Sequence, residues 1–136
     1  MWFSQTAPVL SPDQVDELLV RALAEAKRAY GPHPRRVLLL PPDKTRFHSG
    51  AGRVTNRLYH LLGPGVQIDV IPTLGQHVPH TPEENRWMFG DIPEERILKH
   101  DWRRTITRLG EVPADFVRFV SGGQADWPIP LDLHPA

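Results

Sequence analysis

The sequence has no cysteine. That removes disulfides, thiolate catalysis and cysteine metal sites together, and it fits a reducing, intracellular setting. An excess of charge of one sign is missing too. Sixteen Lys and Arg are balanced by sixteen Asp and Glu, so no global field is available to hold nucleic acid or an anionic membrane. No apolar run is long enough for a bilayer span, and the opening residues carry neither a basic stretch nor an apolar segment of signal-peptide length. Internal repeats and low-complexity tracts are also lacking. The expectation is a soluble, cytoplasmic chain with neither nucleic acid nor membrane as partner.

What is there in excess is proline: fifteen residues in a chain of 136, against a usual share of about 5%. They are scattered, which marks turns and helix starts and not a linker. The length suits one domain spanning residues 1–136, able to bury roughly two-thirds of its unfolded surface.

Local chemistry predicts the elements in turn. The first ten residues read as extended, with Trp2, Phe3, Val9 and Leu10 suited to an edge strand. Ser11-Pro12-Asp13-Gln14 is a capping box with proline at the first helical position. Behind it Val15, Leu18, Leu19, Ala22, Leu23 and Ala26 form one stripe of an amphipathic helix ending at Gly31-Pro32. Residues 37–40 read as a short buried strand stopped by Pro41-Pro42. A second helix is expected over residues 53–62, closed by Gly63-Pro64-Gly65, and a second strand over 66–71. Strand, helix and strand make a βαβ unit with parallel strands, so the fold class is α/β with a small, mainly parallel sheet, a Rossmann-like βαβ core and helices on its faces. Thr81-Pro82-Glu83-Glu84 starts a third helix through Phe89. Further on, residues 105–110 alternate like a strand, 113–120 read as a short helix, and 127–133 as an edge strand.

Chemistry concentrates after the two predicted parallel strands. Asp43, Lys44, Thr45 and Arg46 place a carboxylate, an ammonium, a hydroxyl and a guanidinium within four positions. Arginine suits bidentate capture of a carboxylate or phosphate, and the carboxyl end of a strand in an open α/β sheet is where ligands sit. The plainer alternative is a capped turn with a solvated ion pair of little consequence. After the second strand, Gly75 lets the backbone approach a ligand and His77 offers a general base near neutrality; a hydrogen-bonded surface histidine is the alternative. His77 and His80 also form an H-x-x-H pair that would need further ligands to hold a metal. His100-Asp101 can orient an imidazole or be local structure. No phosphate-loop glycine spacing and no serine-hydrolase elbow occurs.

Taken together, Asp43-Lys44-Thr45-Arg46, Gly75-Gln76-His77-Val78-Pro79 with Thr81-Pro82-Glu83-Glu84, and His100-Asp101 make the chain resemble the N-terminal part of the lactate racemase family, the nickel-pincer-dependent 2-hydroxyacid racemases and their relatives. The likeness keeps order and spacing over residues 35–123. It implies that His77 is an acid–base group at the 2-hydroxy carbon. Asp43, Thr45, Arg46 and Gly75 would line the substrate and cofactor cleft, with Arg46 meeting a small anionic 2-hydroxy acid. It also implies a nickel-pincer nucleotide whose tethering lysine and nickel-binding histidine, like the second catalytic histidine, fall further along the family's sequences than Ala136. The expectation is therefore part of a racemase or epimerase, inactive alone, completed by a C-terminal domain or partner chain. The alternative is a non-catalytic anion-binding or assembly module.

Overall fold

Side-chain caps and prolines set the helix starts in the computed structural model, which describes residues 9–75, 77–101 and 104–133. Helix α1 spans Pro12–Tyr30 and α3 spans Pro82–Phe89. Both carry the predicted box. Ser11 Oγ accepts from the Gln14 N–H at 3.2 Å while Gln14 Oε1 accepts from the Ser11 N–H at 2.9 Å. Thr81 and Glu84 repeat the exchange at 3.3 and 2.9 Å, satisfying N–H groups that a helix start otherwise leaves orphaned. Between them, α2 covers Ala51–Leu62. It starts two residues earlier than predicted because Gly50, at φ +76°, turns the chain directly into the helix.

The described residues fall into two compact units. One holds those up to 73 together with 80–98; the other holds 74–79 and those from 99 onward. In the first, strand β1 (Arg36–Leu39) pairs in parallel with β2 (Gln67–Val70), Val37 opposite Ile68 and Leu39 opposite Val70. The connection between them is α2, so the βαβ expectation holds. Val70 also bridges to Ile97 on the other side of β2. Around it Met88, Phe89, Ile92 and Ile97 close a core, with Leu39 and Tyr59 packed against it. Helices α2 and α3 approach so closely that a Cβ on Gly52 would lie 2.0 Å from the Met88 carbonyl oxygen.

One expectation needs correcting. The first strand is not buried: Leu38 and Leu40 are 39% and 62% exposed. The physical reason is position: among the described residues β2 has neighbours on both sides and β1 pairs on one side only. An apolar run fits a strand buried on both faces, but here alternate residues of β1 face solvent.

In the second unit β3 (Thr107–Val112) and β4 (Ile129–Leu133) pair antiparallel, joined through α4 (Ala114–Val120). The register slips between Arg108 and Gly110, and the strand begins and ends two residues later than the alternation predicts. The fold is mixed α/β, with one parallel and one antiparallel strand pair among the described residues. The edge strand expected near the N-terminus falls, up to residue 8, outside the described residues; Val9 and Leu10 lie in no strand. No helix among the described residues is long and apolar enough to cross a membrane.

Candidate functional site

Pro41 and Pro42 end β1 without ending its pairing. The Thr73 N–H and hydroxyl both donate to the Pro41 carbonyl, at 2.9 and 3.0 Å, and Pro42 bridges Thr73 in parallel. The two strand ends are thereby held side by side. From Pro42 the chain enters a 3-10 turn, Lys44–Ser49, started by Asp43. Asp43 is buried, and its Oδ1 accepts from the Thr45 N–H at 3.1 Å and the Thr45 hydroxyl at 2.6 Å. This is the Asx-type closure that aspartate favours. Thr45 and Arg46 are exposed. Arg46 makes no ion pair or hydrogen bond through its guanidinium among the described residues, while its N–H closes the turn on the Asp43 carbonyl at 3.0 Å.

Lys44 is fixed at both ends. Its N–H donates to His80 Nε2 at 2.9 Å, and its ammonium pairs with Glu84 Oε1. Glu84 Oε2 is the acceptor in the α3 capping box. The Lys44 hydrogen bond, then the Thr81 N–H, hold the Glu84 carboxyl below the usual carboxylate range. Thus α3 and the turn share one carboxylate. Beside them Phe47 and Trp87 stack at 3.8 Å between centroids.

Gly75 and His77 belong to the second unit. Gly75 sits at φ +57°, the left-handed backbone that favours glycine, with open space where a Cβ would be. His77 is exposed and its N–H donates to the Leu74 carbonyl at 2.9 Å. Leu74, just ahead of this turn, donates its own N–H to His100 Nδ1 at 3.3 Å. His100 is therefore bound to backbone. Its neighbour Asp101 accepts from Thr105 and Arg104 through its carbonyl. Gln76 lies outside the described residues.

The structure brings Asp43, Thr45 and Arg46 into one turn of the first unit. The residue that sequence reasoning missed there is His80. It had entered only as half of an H-x-x-H pair, yet Nε2 faces the Lys44 N–H and Nδ1 faces Asn85 Oδ1 at 3.0 Å. Both ring nitrogens are committed. Among the described residues no group of three or more His, Asp or Glu comes together that could hold a metal. The only sequence signal for His80 was its place directly before a capping box.

No family model and no curated protein matches the chain. Among solved structures it is similar to a structural-genomics protein from Thermotoga maritima, with a TM-score of 0.77 at 21% identity over 96% of this chain. This chain spans 31% of that protein's length. At such identity the likeness bears on the fold alone, which it supports as mixed α/β.

Proposed function

We propose that this chain contributes the N-terminal part of a lactate racemase-like active site, acting on a small anionic 2-hydroxy acid. In this reading Arg46 clamps the carboxylate and Asp43 and Thr45 hold the clamp in place; the role of acid–base group for His77, in the other unit, comes from the resemblance alone. The observation that carries it is the turn after β1. A buried aspartate folds back on Thr45, and the arginine that follows is exposed with no anionic partner among the described residues. A guanidinium on a fixed turn at the end of a parallel strand is suited to bidentate capture of a carboxylate. The order of the D-K-T-R, G-Q-H and T-P-E-E motifs supplies the rest of the support.

A nickel-pincer nucleotide would supply the hydride chemistry at an unactivated C–H. The family's tether and nickel ligand match no residue of this chain, and no three-ligand group occurs among the described residues. The chain's own part is confined to binding and orienting the anion and to moving a proton at His77. The alternative is an assembly or anion-binding module without chemistry. It is favoured by α1, whose apolar stripe at Leu18, Leu19 and Leu23 is only half-buried.

Titrating the 136-residue chain with lactate, followed by backbone amide NMR against a chloride control, tests the reading. Saturable shifts of the Asp43–Arg46 amides are expected, weakened about tenfold by Arg46→Lys because the planar fork is lost. The isolated chain should not racemise lactate, with or without nickel. Turnover by the chain alone, or shifts no larger than those from chloride, would sink the proposal.

A further inference from the structure

Both nitrogens of His80 have partners, and the two partners agree on a single protonation state. A backbone N–H can only donate, so the Lys44 N–H at 2.9 Å requires a lone pair on Nε2. On the far side, Asn85 Nδ2 donates to Glu94 Oε1 at 2.9 Å. A carboxylate only accepts, so the amide is oriented with Oδ1 towards His80, and Nδ1, 3.0 Å away, must carry the proton. Asn85 is buried, and the imidazole lies nearly parallel to Phe89 at 6.0 Å. The relay therefore runs from the Lys44 backbone through His80 and Asn85 to Glu94, linking the turn to α3 and to the 3-10 turn Glu94–Arg96. The charged groups around the imidazole are the Lys44 ammonium from the turn, the Glu84 carboxylate from α3 paired with it, and the Glu94 carboxylate beyond Asn85.

We propose that His80 is a positioning residue for the Asp43–Arg46 turn: a neutral imidazole that latches the turn through its Nε2 lone pair and lets go when protonated. A proton on Nε2 would point at the Lys44 N–H, donor against donor. Protonation must then break that bond while leaving the bond from Nδ1 to Asn85 intact. The turn keeps its internal Asp43–Thr45 closure, the Lys44–Glu84 pair and the Phe47–Trp87 stack, and loses the backbone hydrogen bond to His80 ahead of α3. The consequence for anion capture rests on reading this turn as the anion site; the latch itself does not.

The test uses the full 136-residue chain, isotopically labelled and followed by NMR across a pH titration, with lactate as the anion probe. Ring-nitrogen spectra should show His80 as the Nδ1–H form. The amides of Lys44, Thr45 and Arg46 should move in the same transition as the His80 ring signals, and the lactate response should weaken several-fold through it. His80→Gln, which keeps an acceptor that cannot titrate, should leave the turn amides insensitive over that range. His80→Phe, which keeps the stacking but has no acceptor, should give the released spectrum at every pH. An Nε2–H form, or a Lys44 amide that ignores the His80 transition, overturns the latch. Coupled titration without any lactate response supports the latch and removes the anion reading; a lactate response with no coupling does the reverse.

Discussion

Val70 and Phe89 in the first unit have no exposed surface, whereas Leu109 and Phe119 in the second are 68% and 82% exposed. The first unit encloses five buried apolar side chains in one cluster around β2. In the second, Leu74 and Val117 are the buried apolar side chains among the described residues, and every residue of β4 is exposed. The elements of the second unit are held by local bonds instead. These are the β3–β4 ladder, the Arg108–Asp132 pair across it, and Ser121 Oγ, which accepts from the Ala125 N–H at 3.0 Å after α4. Burial stabilises in proportion to area removed from water, while an exposed ion pair contributes little. Packing should therefore dominate the stability of one unit and hydrogen-bonded backbone that of the other.

The largest expected effect comes from removing the ring at the centre of the packed unit. Phe89→Ala should destabilise the first unit by about 3–5 kcal/mol. Val117→Ala in the second should lose only about 2 kcal/mol, two methylene equivalents and a small cavity. Native-state hydrogen exchange separates the two. Amides of β2 should be the best protected in the wild type and lose protection in Phe89→Ala, while those of β3 and β4 exchange faster from the start. Equal protection of β2 and β4 would break the contrast.

The same contrast explains what the sequence revealed. Helices α1 and α3 were legible to the residue because a capping box and an N-terminal proline are local signals that need no tertiary partner. The βαβ unit was legible because its two apolar runs flank an amphipathic stretch closed by Gly63. What escaped were properties that depend on distant neighbours. Whether Leu38 is covered depends on what lies beside β1, and an apolar run has no way of announcing an edge. His80 follows no periodicity, and its partner Lys44 lies 36 positions away. For Asp43 the sequence leaves a cleft-lining carboxylate and a solvated pair as alternatives, and nothing in D-K-T-R says that its carboxylate is buried against Thr45 while Lys44 pairs with Glu84. Local grammar found the turn, and only the fold shows what holds it.

A smaller effect is expected at the cap that serves both a helix and the candidate site. Thr81→Ala removes the acceptor for the Glu84 N–H and should lower the stability of the first unit by about 1 kcal/mol, the usual value for a lost N-cap. Ser11→Ala removes an equivalent cap from α1, which buries no residue, and should lose less. Amide exchange in α3 and α1, measured on each variant, reads the difference directly. A larger loss at Ser11 would mean that α1 is bound into its unit more firmly than its exposure indicates, and the packing argument would need revision.

The smallest effect is electrostatic and again belongs to the first unit. Glu84 is held below the usual carboxylate range by the Lys44 hydrogen bond and then by the Thr81 N–H. Asp91 is held down by His60, 2.9 Å away, and then by Asn56 at 2.7 Å. A carboxyl whose folded pKa is depressed contributes stability that is fully present above its unfolded value and is lost as the pH falls through the folded one. The first unit should therefore weaken as the pH drops through and below the ordinary carboxylate range. Both carboxylates are solvent-accessible, so the slope should be shallow and should flatten further in salt. Lys44→Met removes the leading cause at Glu84 and should reduce the acid sensitivity of α3 amides while leaving the Asp91 contribution in place; His60→Phe should do the converse. An acid response unchanged in both variants would show that other carboxyls of the unit, Glu83 among them, set it.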